Sequence, residues 1–198
     1  MSQNRTVRRA YTTIEVLIAM TVFAIGAAGV MSMQRAAIQG NFDARRMDVA
    51  NGLAREWVER LRRDALLWTT TADLASGTGP RWINTYATSA WVIPTLLCPA
   101  SGNGDGLCPG FDLLGRDLNT ADVKTAVQFC TQIRLTPLVA GSMLRAEVRV
   151  FWLQQITSTP AVGASGFCDA TYLTTNAANL NKIFHFVYAD SAVRMSSP

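Results

Sequence analysis

The stretch RRAYTTIEVLIAMTVFAIGAAGVM (residues 8–31) decides how this chain is organised, because it joins a basic cluster to a long apolar run. Between Arg9 and Arg35 the only ionisable side chains are Glu15 and the weakly acidic Tyr11. The run is about 25 residues long, which is enough for a helix to cross a bilayer. No second run of this kind follows. The sequence therefore predicts a single membrane-spanning helix near the N-terminus.

The basic charge of the chain is concentrated ahead of this run. The formal net charge is +4, and without Arg5, Arg8 and Arg9 the remainder carries only +1. A nearly neutral body lacks the basic footprint of a nucleic-acid-binding protein, so nucleic acid is not an expected partner. Basic residues beside a membrane helix usually stay in the cytoplasm. The three arginines therefore predict a cytoplasmic N-terminus and a periplasmic body.

Glu15 is the unusual residue in the apolar run. A carboxylate at membrane depth costs roughly 3 kcal/mol on insertion scales, and such residues usually have a function. One alternative is a glutamate hydrated at the membrane interface of an uncleaved single-pass anchor. A secretory signal peptide fits less well, since its apolar core is shorter and a small-x-small cleavage site follows it.

The residues around Glu15 resemble the class III signal of type IV pilins and pseudopilins. Their order is basic residues, Ala10, Tyr11, two threonines, an aliphatic residue, Glu15 and an unbroken apolar helix. The resemblance implies that a prepilin peptidase cuts between Ala10 and Tyr11, that Tyr11 is then N-methylated, and that Glu15 is the fifth mature residue. The family usually has Gly before the cut and Phe after it, where this chain has Ala10 and Tyr11.

The resemblance also implies a role for the carboxylate in assembly. In a helical filament, Glu15 of one subunit would meet the N-terminal amine of a neighbour. Charge pairing offsets part of the cost of a buried carboxylate. Since only one axial stagger brings the two groups together, Glu15 would set the register between subunits and would not be catalytic.

The helix should continue past the membrane as an amphipathic segment. An i, i+3, i+4, i+7 spacing predicts one buried face, made of Met47, Ala50, Leu53, Ala54, Trp57, Val58 and Leu61. The predicted organisation is a leader at residues 1–10, a transmembrane half-helix at 11–34, an amphipathic half-helix at 35–68 and a globular head at 69–198.

Strand patterns dominate the rest of the chain. SMLRAEVRVFW (residues 142–152) and AVQFCTQIRL (residues 126–135) alternate, which predicts half-buried strands with one wet face. KIFHFVYA (residues 182–189) is expected to be a strand buried on both faces. We therefore expect an α+β, type IV pilin-like fold, in which an antiparallel sheet packs on the amphipathic half of the long helix.

The helix sequence is similar to that of PilV-type minor pilins, most clearly over residues 8–66. Such subunits join other minor pilins, the major pilin and a PilY-type adhesin in a complex that primes pilus assembly and sits at the tip. The resemblance implies an inner-membrane precursor, then a place at the pilus tip, in support of adhesion and twitching motility. A type II secretion pseudopilin is the alternative within the superfamily, and a single-pass periplasmic protein is the alternative outside it.

Four cysteines lie in the body, Cys98, Cys108, Cys130 and Cys168. In a body outside the cytoplasm they predict disulfides. Three pairings are possible, and the most economical closes Cys98–Cys108 and leaves Cys130–Cys168. Free thiols and a zinc site are the alternatives, although the wide spacing without a CxxC motif disfavours zinc.

Candidate chemistry elsewhere in the chain is weak. The loop SGNGDGLCPGFD (residues 101–112) loosely follows an EF-hand ligand order, which makes Asn103, Asp105 and Asp112 a weak calcium candidate, with a solvated turn as the better interpretation. His185 is expected to be a packed or edge histidine. No nucleotide-binding, hydrolase or metalloprotease motif occurs, so we expect neither an enzyme nor a cofactor.

Overall fold

The computed structural model describes residues 12–73, 80, 82–83, 89–94, 110–118, 127–154, 168, 173 and 177–196. The chain divides into two compact units, Met1–Arg45 and Arg46–Pro198. The first unit contains the apolar half of a long helix. The second contains the amphipathic half and the sheet, and it is called the head below.

Helix α1 (Thr13–Ala65) has 53 residues. Its ends lie within a few residues of the predicted ones, and no proline falls inside it to remove a backbone donor. At its end, the N–H groups of Leu66, Leu67 and Trp68 each donate to the carbonyl oxygen three residues earlier, at 3.1 Å. These tighter bonds satisfy carbonyl groups that the helix leaves unpaired.

The buried face of α1 lies within the head. It comprises Ala50, Leu53, Ala54, Trp57, Val58, Leu61, Asp64 and Ala65. The prediction was wrong for Met47, which is 51% exposed. The cover of the helix begins at the turn containing Gly115, where an added Cβ would lie 3.2 Å from Val49 Cγ1. Met47 precedes that contact and remains in solvent.

The described residues of the head form a four-stranded antiparallel sheet in the order β1-β2-β3-β4. The strands are β1 (Gly110–Phe111), β2 (Phe129–Val139), β3 (Met143–Leu153) and β4 (Phe184–Arg194). A 3-10 turn (Ala177–Asn179) and the short helix α2 (Leu180–Ile183) precede β4. The predicted α+β fold, a long N-terminal helix followed by an antiparallel sheet, is therefore confirmed.

The β2–β3 hairpin closes through Gly141, which has a φ of 73°. This left-handed conformation favours glycine because a side chain there is strained. An added Cβ would also lie 2.8 Å from the Cγ2 atom of Thr71. The hairpin turn is thus packed against the segment that follows α1.

The predicted alternation is confirmed in β3 but not in β2. In β3, Leu144, Ala146, Val148, Val150 and Trp152 are all buried, whereas Arg145 is exposed and Glu147 and Arg149 are partly so. In β2, by contrast, every residue from Phe129 to Ile133 is buried. The expected wet face is covered there because a second apolar cluster packs on the outer face of the sheet.

The prediction that the last strand is buried on both faces was wrong. In β4, only Phe184 and Val193 are buried. The physical reason is position, because β4 pairs with β3 alone among the described strands and lies at the edge of the sheet. An edge strand has solvent along one side, whatever its apolar content.

Two apolar clusters hold the head together. The larger lies between α1 and the sheet and includes Trp57, Leu61, Trp68, Ile133 and Val148. The smaller lies on the opposite face and comprises Ile93, Cys130, Phe151, Cys168, Leu173, Leu180 and Phe184. Burial of such side chains contributes about 1.5–3 kcal/mol each relative to leaving them exposed.

Candidate functional site

The apolar half of α1 exposes large hydrophobic side chains on all sides. An 18-residue window of this helix has a mean hydropathy of 2.2, and none of it is buried. A core helix of a soluble protein would bury such a surface, whereas a helix that is apolar all round is typical of a membrane span. The helix is long and apolar enough to cross a membrane. The exposed residues are Ile14, Val16, Leu17, Ile18, Met20, Val22, Phe23, Ile25, Val30, Met31, Met33, Ile38 and Phe42.

Two hydroxyl side chains within this half bond to the helix backbone. The Thr21 hydroxyl donates to the Ile18 carbonyl oxygen, and the Ser32 hydroxyl donates to the Gly29 carbonyl oxygen, both at 2.8 Å. An unsatisfied polar group in hydrocarbon would cost several kcal/mol. These two hydroxyls are therefore compatible with an apolar environment.

Glu15 is the exception to this pattern. It lies in the first turn of α1, where it is exposed and where its N–H donates to the Thr12 carbonyl oxygen at 3.0 Å. A carboxylate in a first turn is favoured by the helix dipole by about 0.3–1 kcal/mol. Because burial of the charge in a membrane costs roughly 3 kcal/mol, the dipole alone does not offset it. The site requires water or a cation from outside the described residues.

Two glycines lie about three to four turns further along α1 than Glu15. An added Cβ at Gly26 or Gly29 would meet no atom within 4 Å. The two glycines are three positions apart and so lie on one side of the helix. Small residues on a membrane helix allow another helix to approach closely. This side of α1 is suited to helix–helix contact.

The predicted cleavage and methylation residues, Ala10 and Tyr11, lie outside the described residues, as do Cys98 and Cys108. The other predicted pair is present as a disulfide between Cys130 and Cys168, with a Cα–Cα distance of 5.6 Å. This agrees with the pairing considered most economical. The Cys98–Cys108 disulfide stays a prediction.

Of the three residues of the calcium candidate, the structure describes only one. Asn103 and Asp105 lie outside the described residues, whereas Asp112 is committed to a local turn. Its Oδ1 accepts the N–H groups of Leu114 and Arg116 at 2.8 and 2.9 Å, and its Oδ2 accepts Arg116 Nε at 2.7 Å. Desolvation raises the pKa of Asp112, but the hydrogen bonds from Arg116 and Leu114 outweigh it and leave the pKa below its usual value. Both oxygens thus have partners before any cation arrives.

Among the described residues, no group of three or more His, Cys, Asp or Glu side chains is placed to hold a metal ion. His185 is exposed on β4, with its ring 5.5 Å from that of Trp152. It is an edge histidine, as predicted.

Asp64 is a positioning residue that the sequence analysis missed. It is buried near the end of α1, and its Oδ2 accepts the backbone N–H groups of Trp82 and Ile83 at 2.8 and 3.0 Å. A charge-assisted pair of this kind satisfies two backbone donors at once. The signal available in the sequence was an acidic residue in phase with the apolar stripe, next to Leu61 and Ala65.

The outer face of the sheet carries an arginine–aromatic cluster that the sequence analysis also missed. Trp91 lies beneath the guanidinium groups of Arg134 and Arg149, at 4.7 and 4.4 Å from the ring centroid. Arg149 Nε donates to Gln132 Oε1 at 2.6 Å. Burial lowers the pKa of Arg149, which contact with Tyr188 only partly opposes. Through these cation–π contacts, the Trp91 ring bridges β2 and β3 on this face.

The chain matches no protein-family model, no curated protein and no solved structure. Its family assignment therefore remains the resemblance in the N-terminal residues. The structural features that bear on function are the uncovered apolar helix, the carboxylate in its first turn and the disulfide-bonded head.

Proposed function

We propose that this protein is a minor pilin of a type IV pilus, of the PilV type. In this proposal it is an inner-membrane precursor with a cytoplasmic N-terminus, trimmed after Ala10 and methylated on Tyr11. It then joins other minor pilins, the major pilin and a PilY-type adhesin at the pilus tip. The long helix followed by an antiparallel sheet is compatible with this role.

The observation that carries the proposal is Glu15, an exposed carboxylate in the first turn of α1, whose N-terminal part up to residue 34 carries no other charged side chain. In lipid, the apolar side chains are satisfied and the carboxylate is not. In a filament, neighbouring helices would cover the apolar surface, and the amine of a neighbouring Tyr11 would neutralise the charge. Transfer of the helix from the membrane to the filament would therefore be favourable for the carboxylate and would keep the apolar side chains covered.

The disulfide gives independent support for where the head resides. Disulfides persist outside the reducing cytoplasm, and Cys130–Cys168 lies in the head. The arginines before the apolar run favour retention of the N-terminus in the cytoplasm. Together they support a single-pass topology with a periplasmic head.

The test is mass spectrometry of filaments sheared from cells that produce this protein, with a search for its N-terminal peptide. We expect a peptide that begins at N-methyl-Tyr11. A protein that is found only in membranes and still begins near Met1 would contradict the proposal and favour a single-pass anchor. A processed protein that is absent from surface filaments but required for secretion would favour the pseudopilin alternative.

The role of the carboxylate is tested by Glu15→Ala in the same cells. Loss of a buried charge pair costs about 2 kcal/mol or more, which corresponds to roughly thirtyfold less incorporation into filaments at equal membrane levels. Asp43→Ala is the matched control, because Asp43 is an exposed acid on the same helix. Equal incorporation of the two variants would remove the docking role of Glu15.

A further inference from the structure

In the part of the chain that the structure describes, the last strand of the sheet has a hydrogen-bonded neighbour on one side only. β4 pairs with β3 along its 11 residues, from Phe184 opposite Leu153 to Arg194 opposite Met143, without a register shift. Among the described strands, no other pairs with β4. Long, regular strand edges without cover are where another extended chain can add to a sheet.

Hydrogen bonds at the two ends of β4 identify the residues whose backbone groups point outward. The Met195 N–H donates to the Ser142 carbonyl oxygen, and the Gln154 N–H donates to the Ile183 carbonyl oxygen, both at 2.9 Å. The backbone N–H and C=O groups of the odd-numbered residues of β4 therefore point toward β3. Because the direction of these groups alternates along a strand, the outward-facing residues are Phe186, Tyr188, Asp190, Ala192 and Arg194.

Among the described residues, a backbone contact covers the edge of β4 just beyond its C-terminal end, and none covers it between Phe186 and Arg194. The Ser196 N–H, which the alternation directs outward, donates to the Trp68 carbonyl oxygen at 2.7 Å. Between Phe186 and Arg194, the described residues provide one contact to an outward carbonyl oxygen, from the Ser191 hydroxyl to Ala192 at 3.2 Å. The remaining outward N–H and C=O groups have no partner among the described residues and can bond to a further strand.

A groove of about 500 Å³ follows the C-terminal part of this edge. Its lining comes from α1 (Arg62, Ala65 and Leu66) and from β4 and the residues after it (residues 192–196). Since successive residues of a strand point to opposite faces, a groove lined by every residue from 192 to 196 follows the backbone edge. A strand added beside β4 would therefore place side chains in this groove.

The charge of the groove is positive. The described residues of its lining include Arg62 and Arg194 and no carboxylate. Arg62 is already engaged, with Nη1 at 2.5 Å from Glu59 Oε1 and Nε donating to Ser191 Oγ at 3.0 Å. Arg194 is exposed and forms no ion pair with any described residue. An incoming segment would therefore complement the groove with a carboxylate opposite Arg194.

We propose that the outer edge of β4 and this groove form a docking site for an extended segment of a partner protein. The segment adds to β4 as a further strand, places an apolar side chain in the groove and pairs a carboxylate with Arg194. This inference goes beyond the proposed pilus role, because it depends only on residues of the head. Failure of leader processing or of Glu15 docking would leave it unaffected.

The test measures binding of defined peptides to the full chain in detergent micelles by fluorescence anisotropy, with empty micelles as the blank. The probe is a labelled peptide in which valine and aspartate alternate. One control peptide replaces aspartate with lysine, and another is N-methylated at alternate residues so that it cannot donate to a strand edge. The protein variants are Arg194→Glu and, as a matched charge reversal away from the groove, Lys182→Glu.

We expect the aspartate peptide to bind and backbone methylation to weaken it roughly tenfold or more. Arg194→Glu should weaken it about fivefold and favour the lysine peptide, while Lys182→Glu should change little. Insensitivity to both methylation and Arg194→Glu would overturn the proposal, as would a dissociation constant above about 1 mM for every peptide. Self-association through this edge without peptide binding would overturn it in favour of a second copy as the occupant.

Discussion

Trp57 connects the amphipathic half of α1 to the rest of the head. It is fully buried, its ring meets that of Trp82 edge-on with centroids 4.9 Å apart, and the Arg60 guanidinium lies 5.0 Å from the ring centroid. Each contact adds to the apolar burial of the ring. A single side chain thus contacts both the segment at residues 82–83 and a largely buried arginine of the same helix.

Truncation of this residue should be strongly destabilising. Trp57→Ala is expected to lower the free energy of unfolding by about 3–5 kcal/mol, because it removes the transfer energy of the ring and leaves a cavity. The measurement is urea unfolding of the full chain in micelles, followed by fluorescence of the other tryptophans. Leu66→Ala is the control, since Leu66 is 67% exposed and a surface change costs at most about 0.5 kcal/mol. Equal losses in the two variants would contradict this role.

At the scale of elements, β2 and β3 are joined on the outer face by a two-point ion pair. Arg134 Nε and Nη2 donate to Glu147 Oε2 and Oε1 at 2.7 and 2.8 Å. The hydrogen bond from Arg134 is the main reason that the pKa of Glu147 falls below its usual value. Asp117 has the opposite shift, because burial raises its pKa despite the nearby Arg60.

The Glu147 pair should contribute to acid stability with a defined sign. Since its pKa is lowered on folding, its stabilisation is present above the unfolded value of 4.5 and is lost as the pH falls below it. Glu147→Gln should reduce the unfolding free energy near pH 7 by about 1 kcal/mol or less. It should also make the unfolding free energy fall less steeply as the pH is lowered. The measurement is urea unfolding between about pH 3 and pH 7. If the unfolding free energy of the variant fell with acid pH as steeply as that of the unsubstituted protein, this role of Glu147 would be contradicted.

The disulfide connects β2 to the segment that precedes β4. The bridged residues, Cys130 and Cys168, are 38 positions apart, and closing a loop of that size stabilises a fold by about 4 kcal/mol in the chain-entropy estimate. The Cys130→Ala, Cys168→Ala double variant should therefore lose about 2–4 kcal/mol of unfolding free energy. Peptide mapping without reductant checks the pairing and tests Cys98–Cys108. A loss below about 1 kcal/mol would show that the crosslink adds little to the packing of this cluster.

At the scale of the whole molecule, the two units differ in how much of their apolar surface is buried. None of residues 12–45 is buried, whereas the buried face of α1 begins at Ala50. The first unit consequently needs lipid or other helices to cover it. The head has its own apolar clusters on both faces of the sheet.

This division predicts that the head folds without the apolar helix. A fragment of residues 46–198 should be soluble and should unfold cooperatively, with an unfolding free energy within about 1 kcal/mol of that of the head in the full chain. Urea unfolding by tryptophan fluorescence compares the two directly, since all five tryptophans follow residue 46. A fragment of residues 59–198 lacks Trp57 and should not fold. Aggregation of the longer fragment would mean that the first unit is needed for folding.

Local periodicity was sufficient to predict several features of this protein. The apolar run, the helix over its present range, the stripe from Ala50 to Leu61 and the alternation of β3 all depend on residues near each other in the chain. The isolated carboxylate Glu15 was evident for the same reason. Such patterns determine the type of an element because helices and strands have fixed periods of their own.

Only the tertiary structure decided which surfaces are covered. Met47 lies in the apolar stripe but is exposed, because the turn at Gly115 covers the helix only from Val49 onward. Both faces of β2 are buried from Phe129 to Ile133, where a distant cluster that includes Cys168 packs on the outer face, whereas the apolar β4 lies at an edge of the described sheet. The anchoring of residues 82–83 by Asp64 likewise joins distant positions. Burial depends on contacts between residues far apart in sequence, and no local period contains that information.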